Sequence, residues 1–384
     1  MHLPEIQQAD EVLSLAELII DEDICINLRG RMMHCTQCAD TCPADALTLT
    51  PDAIELDSEK CTHCTSCLPS CAAGALRSGG FVPERFLQAL KGKKEAHIHC
   101  RGSRDGGGGI VVPCHGVLDN RLFLAAGAEG IEKIYLHGLT QCIGCNLGDA
   151  RDQIKQEIKT TLQFLGGQAP RFDLVPGESG EASSKRDHHD QRHLSRRSFL
   201  RFSGANAIHH AADWIVPGLA QDDEDEDDIL PFYQAEEMPQ RPSQYAQALV
   251  ARADKLVWDS GSYPWRSRRV TEDCSGCLSC GQRCPTGALV TVETNDKREL
   301  SFDPGLCTDC KLCEQICPEN SIVSSMVSGA DSITEGRILL FHLRQVQCRV
   351  CGTPFIPGEE ISEYCLVCRN EQDIDDDWLD MLSG

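Results

Sequence analysis

Cysteine carries the chemistry of this chain, with 24 residues among 384. Cys274, Cys277, Cys280 and Cys284 read Cys-x2-Cys-x2-Cys-x3-Cys, and Pro285 follows. The spacing returns at Cys307, Cys310, Cys313, Cys317 and Pro318. Thiolates at this spacing hold iron and sulfide, and two tandem runs are the ligand pattern for two clusters. Each run gives three thiolates to one cluster, and its fourth Cys crosses to the other. Cys274, Cys277 and Cys280 are therefore expected with Cys317, and Cys307, Cys310 and Cys313 with Cys284. A pair of zinc sites is the competing reading, but zinc knuckles use paired Cys-x2-Cys units rather than triple runs ending in Cys-Pro. The chemistry expected of such centres is outer-sphere electron transfer.

The stretch from Cys274 to Pro318 resembles the bacterial dicluster ferredoxins. That resemblance implies two 4Fe–4S cubanes and an electron-carrying role.

A second unit of this kind is expected at 23–80. Its later run is regular, at Cys61, Cys64, Cys67 and Cys71. Its earlier run keeps Cys35, Cys38, Cys42 and Pro43, but the next cysteine upstream is Cys25, across an insertion from Ile26 to His34. Cys61, Cys64, Cys67 and Cys42 make one ligand set. Cys35, Cys38 and Cys71 make three ligands of another, with Cys25 as the fourth. The alternative is a buried thiol at Cys25 beside a three-iron or degenerate cluster. The insertion carries Arg29, Arg31 and His34, and is expected to alter one cluster's solvent exposure and hence its potential.

All four runs end in a similar tail: Pro43-Ala-Asp-Ala-Leu, Ala72-Ala-Gly-Ala-Leu, Pro285-Thr-Gly-Ala-Leu and Pro318-Glu-Asn-Ser-Ile. After each the chain is expected to turn and enter a short strand, as at 47–50 and 289–292, with a partner piece at 53–56 or 299–302. This is an internal repeat. Its small residues let backbone N–H groups approach cluster sulfurs.

The elements change at 81–170. Helices are predicted over 81–91, 120–128 and 149–165, and strands over 96–99, 110–113 and 131–136. This alternation implies a parallel sheet with crossovers. Cys100, Cys114, Cys142 and Cys145 then fall just past the carboxyl ends of strands, where open α/β sheets place ligands. Four thiolates converging there could hold a 2Fe–2S cluster, a 4Fe–4S cluster or zinc. The glycine run Gly106–Gly109 reads as a hairpin-like connection and lacks a phosphate-binding context. Cys114-His-Gly-Val, Ala125-Ala-Gly-Ala-Glu-Gly, Ile134-Tyr-Leu-His-Gly and the closing Cys142 and Cys145 resemble the small iron–sulfur (delta) subunit of methyl-viologen-reducing hydrogenases. The resemblance implies a 2Fe–2S centre that passes electrons to a disulfide reductase. The family opens with a Cys-x2-Cys pair, whereas Cys100 stands alone here.

Cys348, Cys351, Cys365 and Cys368 have the spacing of a zinc ribbon, and a preceding strand at 338–343 is expected to supply its sheet. Rubredoxin-type iron uses similar knuckles with a longer connection. The 24 cysteines thus divide into six groups of four with none left over.

The formal net charge of −23 argues against nucleic acid and suits steering toward a basic patch on a redox protein. The start of the chain lacks the pattern of a secretory signal, and no apolar run approaches the ~20 residues of a membrane span. These features point to the cytoplasm. A short amphipathic helix is expected at 10–22. Residues 171–245 read as linker, with an acidic run at 222–228 and a twin-arginine-like motif, Ser195-Arg-Arg-Ser-Phe-Leu-Arg, centred on Arg196 and Arg197. A helix is expected at 246–256. Trp258, Tyr263 and Trp265 are expected to pack the edge of the second ferredoxin unit, and Arg266, Arg268 and Arg269 to form a solvated basic patch.

The expected fold is α+β and multidomain. It comprises a helix and first dicluster ferredoxin-like (βαββαβ-type) unit at 1–80, an α/β four-Cys unit at 81–170 and linker at 171–245. A second ferredoxin unit at 246–330 and a zinc ribbon with an acidic tail at 331–384 follow. The expected function is multi-cluster electron transfer between an oxidoreductase of hydrogenase, formate dehydrogenase or disulfide-reductase type and its partner. No residue set suggests a catalytic nucleophile or acid–base pair. The alternative is an assembly or redox-regulatory factor that binds an oxidoreductase subunit or a chaperone.

Overall fold

Short strands that pair across Cys-rich loops build most of the chain. A computed structural model describes residues 18–30, 33–103, 108–176, 238–259, 263–327, 333, 336–357 and 363–370. The twin-arginine-like motif, the acidic run, the acidic tail and residues 10–17 lie outside the described residues.

The first region contains β1 (Leu18–Ile20), α1 (Ile26–Arg29), α2 (Gln37–Asp40), β2 (Leu47–Leu49), β3 (Ile54–Leu56), α3 (Cys67–Ser70) and β4 (Leu76–Ser78). Antiparallel pairs join β1 to β4 and β2 to β3. Leu18–Ile20 is thus a strand, although helical spacing predicted the end of a helix there. Its β-branched residues pair in register with Leu76–Ser78, and tertiary pairing overrides the local pattern.

The second region is a parallel α/β unit. It contains α4 (Pro83–Leu90), β5 (Glu95–Cys100), β6 (Ile110–Val112), α5 (Asn120–Ala128), β7 (Lys133–His137), α6 (Arg151–Leu165) and β8 (Arg171–Val175). The sheet order is β6-β5-β7-β8, and every pair is parallel. Asp119 caps α5, accepting from the Leu122 N–H at 3.1 Å. Ile98, Ile134 and Leu136 are fully buried, as both-faced burial of a parallel sheet requires.

Two expectations change here. The connection after β5 does not return as a hairpin, because β6 pairs with β5 in parallel register, Ile98 opposite Ile110. Residues 171–175, placed in the linker by composition, form an edge strand in which Leu136 lies opposite Leu174.

The third region contains α7 (Gln244–Val250), β9 (Arg266–Val270), α8 (Ser279–Gln282), β10 (Leu289–Glu293), β11 (Lys297–Phe302), α9 (Leu312–Gln315), β12 (Ile322–Met326) and β13 (Ile338–Arg344). β9 pairs with β12, and β10 and β11 form a second antiparallel sheet that β13 joins along the free edge of β11. The strand expected to supply the ribbon's sheet thus belongs to the ferredoxin unit instead. A hairpin of β14 (Val346–Gln347) and β15 (Pro354–Phe355) follows.

Residues 238–259 join these regions. The Tyr245 hydroxyl donates to the Val117 carbonyl at 2.9 Å. Arg252 pairs with Glu84 at 2.8 Å and Glu129 at 2.6 Å. Arg241 pairs with Asp21 and donates to the Gly74 carbonyl. Trp258, Tyr263 and Trp265 pack into the larger core shared with the first two regions, not into the small core of the second ferredoxin unit.

Candidate metal and cluster sites

The second ferredoxin unit brings its crossed ligand sets together. Cys274, Cys277, Cys280 and Cys317 line a cavity of about 400 Å³. Cys284, Cys307, Cys310 and Cys313 line another of about 320 Å³. In the first unit, Cys42, Cys61, Cys64 and Cys67 line a cavity of about 400 Å³. Each set is named here by its first regular thiol: the Cys274, Cys307 and Cys61 sites.

The backbone around these cavities is shaped for anionic sulfur. In each regular run the second residue after the first Cys and the first residue after the second Cys are left-handed. These pairs are His63 and Thr65, Gly276 and Leu278, and Asp309 and Lys311, with φ between 51° and 68°. The third residue after each closing Cys is left-handed too: Asp45, Gly74, Gly287 and Asn320. Left-handed conformations are costly for residues with a Cβ, and alternation with right-handed neighbours turns successive N–H groups inward as an anion-binding nest. Four N–H groups land on the closing thiols. Ala46 donates to Cys42 Sγ at 3.3 Å, Ala75 to Cys71 at 3.3 Å, Leu289 to Cys284 at 3.5 Å and Ser321 to Cys317 at 3.2 Å. The repeated tail read from the sequence produces this geometry. Gly276 is further confined, since an added Cβ would lie 2.7 Å from Leu343 and 2.9 Å from Phe341 of β13.

Burial makes these thiols poor at ionising alone. It pushes Cys280, Cys307 and Cys310 each up to about 12, and neighbouring thiolates add to the effect at Cys280. A bound cation is what stabilises such a set of thiolates in an apolar cavity. The residues therefore fit the clusters their spacing implies. When bound, such clusters accept and release single electrons without bond-making by the protein.

Cys25, Cys35, Cys38 and Cys71 also gather, forming the Cys25 site. Burial pushes Cys38 up to about 11, and the charges of Cys71, Cys25 and Cys35 contribute. Asn27 fixes the far end of the insertion, accepting from the Cys35 N–H and donating to its carbonyl, both at 2.7 Å. Its run differs from the three regular ones: among the described residues from Cys35 to Cys42 none is left-handed.

In the α/β unit, Cys100 ends β5, Cys114 follows β6, and Cys142 and Cys145 follow β7. Cys100 and Cys145 flank Gly102, where an added Cβ would lie 3.8 Å from both sulfurs. The charges of Cys100 and Cys145 act on Cys142 after burial, and those of Cys64 and Cys100 act on Cys114. The Cys100 site thus abuts the Cys61 site. Arg101 strengthens that junction, donating to the carbonyls of Thr62 at 3.2 Å and His63 at 3.0 Å. Gly148 is pressed on Pro43, 2.6 Å from where its Cβ would stand.

The other neighbours follow in sequence. Cys38 acts on Cys67, linking the Cys25 and Cys61 sites. Arg29, between Cys25 and Cys35, feels the charges of Cys284 and Cys310 of the Cys307 site once burial is counted. Cys313 acts on Cys280, linking the Cys307 and Cys274 sites. The order is Cys100, Cys61, Cys25, Cys307, Cys274. Cys277, in the last of these, is exposed.

Two residues matter more than their sequence context suggested. Arg268, read as part of a solvated patch, is 1% exposed and lines the Cys307 cavity. Alternation along β9 places Arg268 on the same face as Val270, which packs on the small core, while Arg269 lies on the opposite face and Arg266 stays exposed at the strand end. Arg29 is also 1% exposed. The available signal for Arg268 was its position two residues before Val270, on the same face of the strand; nothing local marked the depth of Arg29.

Cys348, Cys351, Cys365 and Cys368 place their sulfurs within 4.8 Å of one another. The Cys351 and Cys365 sulfurs are 3.7 Å apart. Tetrahedral zinc with bonds of about 2.3 Å separates sulfurs by about 3.8 Å, so the group fits. N–H groups of Cys351 and Cys365 hold the Cys348 thiol down at about 6, ready to bind metal.

Among the described residues no helix is long and apolar enough to cross a membrane. The pattern of the family described as "4Fe-4S dicluster domain" matches residues 33–75 and 271–321. The chain is 34% identical over 56 residues to an uncharacterized ferredoxin of Methanocaldococcus jannaschii, covering 15% of this chain and 73% of that protein. It is 32% identical over 72 residues to the DNA-directed RNA polymerase subunit Rpo3 of Methanosarcina acetivorans, covering 18% of this chain and 27% of that subunit. It is 37% identical over 54 residues to the indolepyruvate oxidoreductase subunit IorA of Archaeoglobus fulgidus, covering 14% of this chain and 8% of that subunit. With the dicluster domain present twice and a ferredoxin matched over most of its length, the chain belongs to the 4Fe-4S dicluster ferredoxin family.

Proposed function

We propose that this chain passes single electrons along five thiolate-held iron–sulfur centres, between a cytoplasmic oxidoreductase and a second redox protein. The observation that carries this reading is the series of thiol sets from Cys100 to Cys274, in which thiols of adjacent sets are neighbours at three steps and Arg29 of the insertion bridges the fourth. A regulator that senses redox state needs one cluster, whereas a conductor needs adjacent ones. The exposed Cys277 suits the last centre as a port for electron exchange. Similarity to a segment of an indolepyruvate oxidoreductase subunit supports an oxidoreductase partner. The Cys100 site is read as a 2Fe–2S or 4Fe–4S centre, in line with the hydrogenase delta-like motifs. The last four cysteines are read as a zinc ribbon.

Exposed Val350, Leu366 and Val367 on the ribbon knuckles favour a second reading, a factor that binds a protein partner or chaperone. Metal analysis and reduction kinetics separate the two. The conductor reading expects about sixteen irons or more with matching sulfide, plus one zinc, and one kinetic phase relaying electrons to an acceptor. Replacing Cys277 and Cys310 with Ser should then stop the relay. Unchanged electron flux, with partner binding lost, would sink the conductor in favour of the binding factor.

A further inference from the structure

The largest fully buried side chains among the described residues are two arginines, Arg29 and Arg268. Both serve one site. Arg268 lines the Cys307 cavity, which Lys311 also lines. Its guanidinium pairs with Asp309 at 2.6 Å and lies 3.6 Å from Glu314. Arg29 arrives from the other ferredoxin unit. It donates to the carbonyl of Arg283, the residue before Cys284, at 3.1 Å. Its remaining bonds go to the carbonyls of Asp23 and Pro239, so its charge has no carboxylate bonded to it. Gly30 next to it packs against Leu312 and Ile316, which flank Cys313.

The Cys274 site, its partner within the same unit, is built differently. Its cavity lining contains no Lys or Arg, and Glu319 lines it instead. The two halves of the repeat hold similar thiols and similar N–H donors but differ in charge balance. Arg268, Lys311 and Arg29 outnumber Asp309 and Glu314 about the Cys307 site. Glu319 is the charged residue lining the Cys274 site, where Arg298, paired with Glu293, reaches only the Gly276 carbonyl. A reduced cluster carries one more negative charge than an oxidised one. Buried cations stabilise the reduced form and a nearby carboxylate disfavours it, with little screening inside the protein.

We propose that Arg29 and Arg268 make the Cys307 centre the higher-potential member of its pair, an internal electron store between the Cys25 and Cys274 centres. This rests on the cluster reading above. Arg29 is a positioning residue with a second consequence: the insertion in the first ferredoxin unit sets a potential in the second. Electrons shared between the two centres of this pair would then rest at the Cys307 centre.

The test is redox titration of the full-length protein followed by EPR, with iron and sulfide measured on each sample. Cys310→Ser identifies the signal of the Cys307 centre by its loss or change. In the unsubstituted protein that signal should titrate at a higher potential than that of the Cys274 centre, identified with Cys277→Ser. In Arg29→Gln and Arg268→Gln it should move to more negative potential while the other signals stay. Arg268→Gln should shift it further, because Asp309 and Glu314 are left unpaired. Arg268→Lys should restore most of the difference. Fully loaded variants with unchanged titrations, or an equal shift of every signal, would overturn the proposal. If Arg268→Gln does not assemble, the order of the two signals in the unsubstituted protein decides, and a lower potential at the Cys307 centre overturns it. Failure of the unsubstituted protein to hold iron and sulfide would instead refute the cluster reading.

Discussion

Arg29 and Arg283 exchange hydrogen bonds across 254 positions of sequence, each guanidinium donating to the other's backbone carbonyl. The pair closes the seam between the two ferredoxin units. One arm belongs to the insertion that separates Cys25 from Cys35, and the other precedes Cys284. An insertion that interrupts a ligand run thus also joins two cluster-bearing units.

Removing this junction should loosen the halves. Arg29→Met leaves the carbonyls of Asp23, Arg283 and Pro239 without their donor. Asp23, Pro239 and Arg283 are exposed residues whose carbonyls water can partly satisfy, so a loss of about 1 kcal/mol is expected. Calorimetry should show a lower unfolding midpoint, and limited proteolysis should cut first within 238–259. An unchanged midpoint would mean that the seam does not depend on Arg29.

Cys25 is separable from the other ligands by metal content. Cys25→Ser should remove about four irons per chain, or about one with a three-iron EPR signal, while the other centres stay loaded. Full iron retention with an unchanged spectrum would make Cys25 a buried thiol only.

The ribbon should depend wholly on its metal. Its core is Cys348, Cys365 and Cys368 with Phe355 and Tyr364 packed beside them, too little apolar surface to fold alone. Cys348→Ser should release one zinc, melt the β14–β15 hairpin in hydrogen exchange, and leave sulfide content intact. Loss of sulfide in parallel would place the ribbon thiols in an iron–sulfur centre.

Glu84 provides a pH test. Hydrogen bonding to Arg252 holds its carboxylate below the ordinary range. A depressed carboxylate adds stability above its unfolded value of about 4.3, and that contribution disappears as pH falls through the lower folded value. Half-exposed Glu84 should contribute modestly. Unfolding midpoints of Glu84→Gln should lie below those of the unsubstituted protein at pH 7 and converge with them on acidification below about pH 4. A gap that persists in acid would show that the hydrogen bond, not the charge, carries the effect.

Cysteine spacing by itself grouped Cys274, Cys277, Cys280 and Cys317, and the same four line one cavity. That grouping was legible because ligand loops are local: a few residues of fixed backbone deliver three thiols, and the repeated tail delivers the N–H donors. Strand and helix periodicity likewise marked Asn120–Ala128 and the parallel α/β alternation. Contacts between distant segments were not legible. Arg268 looked like surface because charge alone implies solvent, yet strand alternation and the Asp309 carboxylate draw it inside. Leu18–Ile20 and Arg171–Val175 became strands because partner edges at Leu76–Ser78 and Lys133–His137 were open to them. The order of the centres, and the placing of Arg29 from one unit beside the thiols of another, were decided by tertiary packing. Such packing joins residues hundreds of positions apart, and no spacing rule along the chain encodes it.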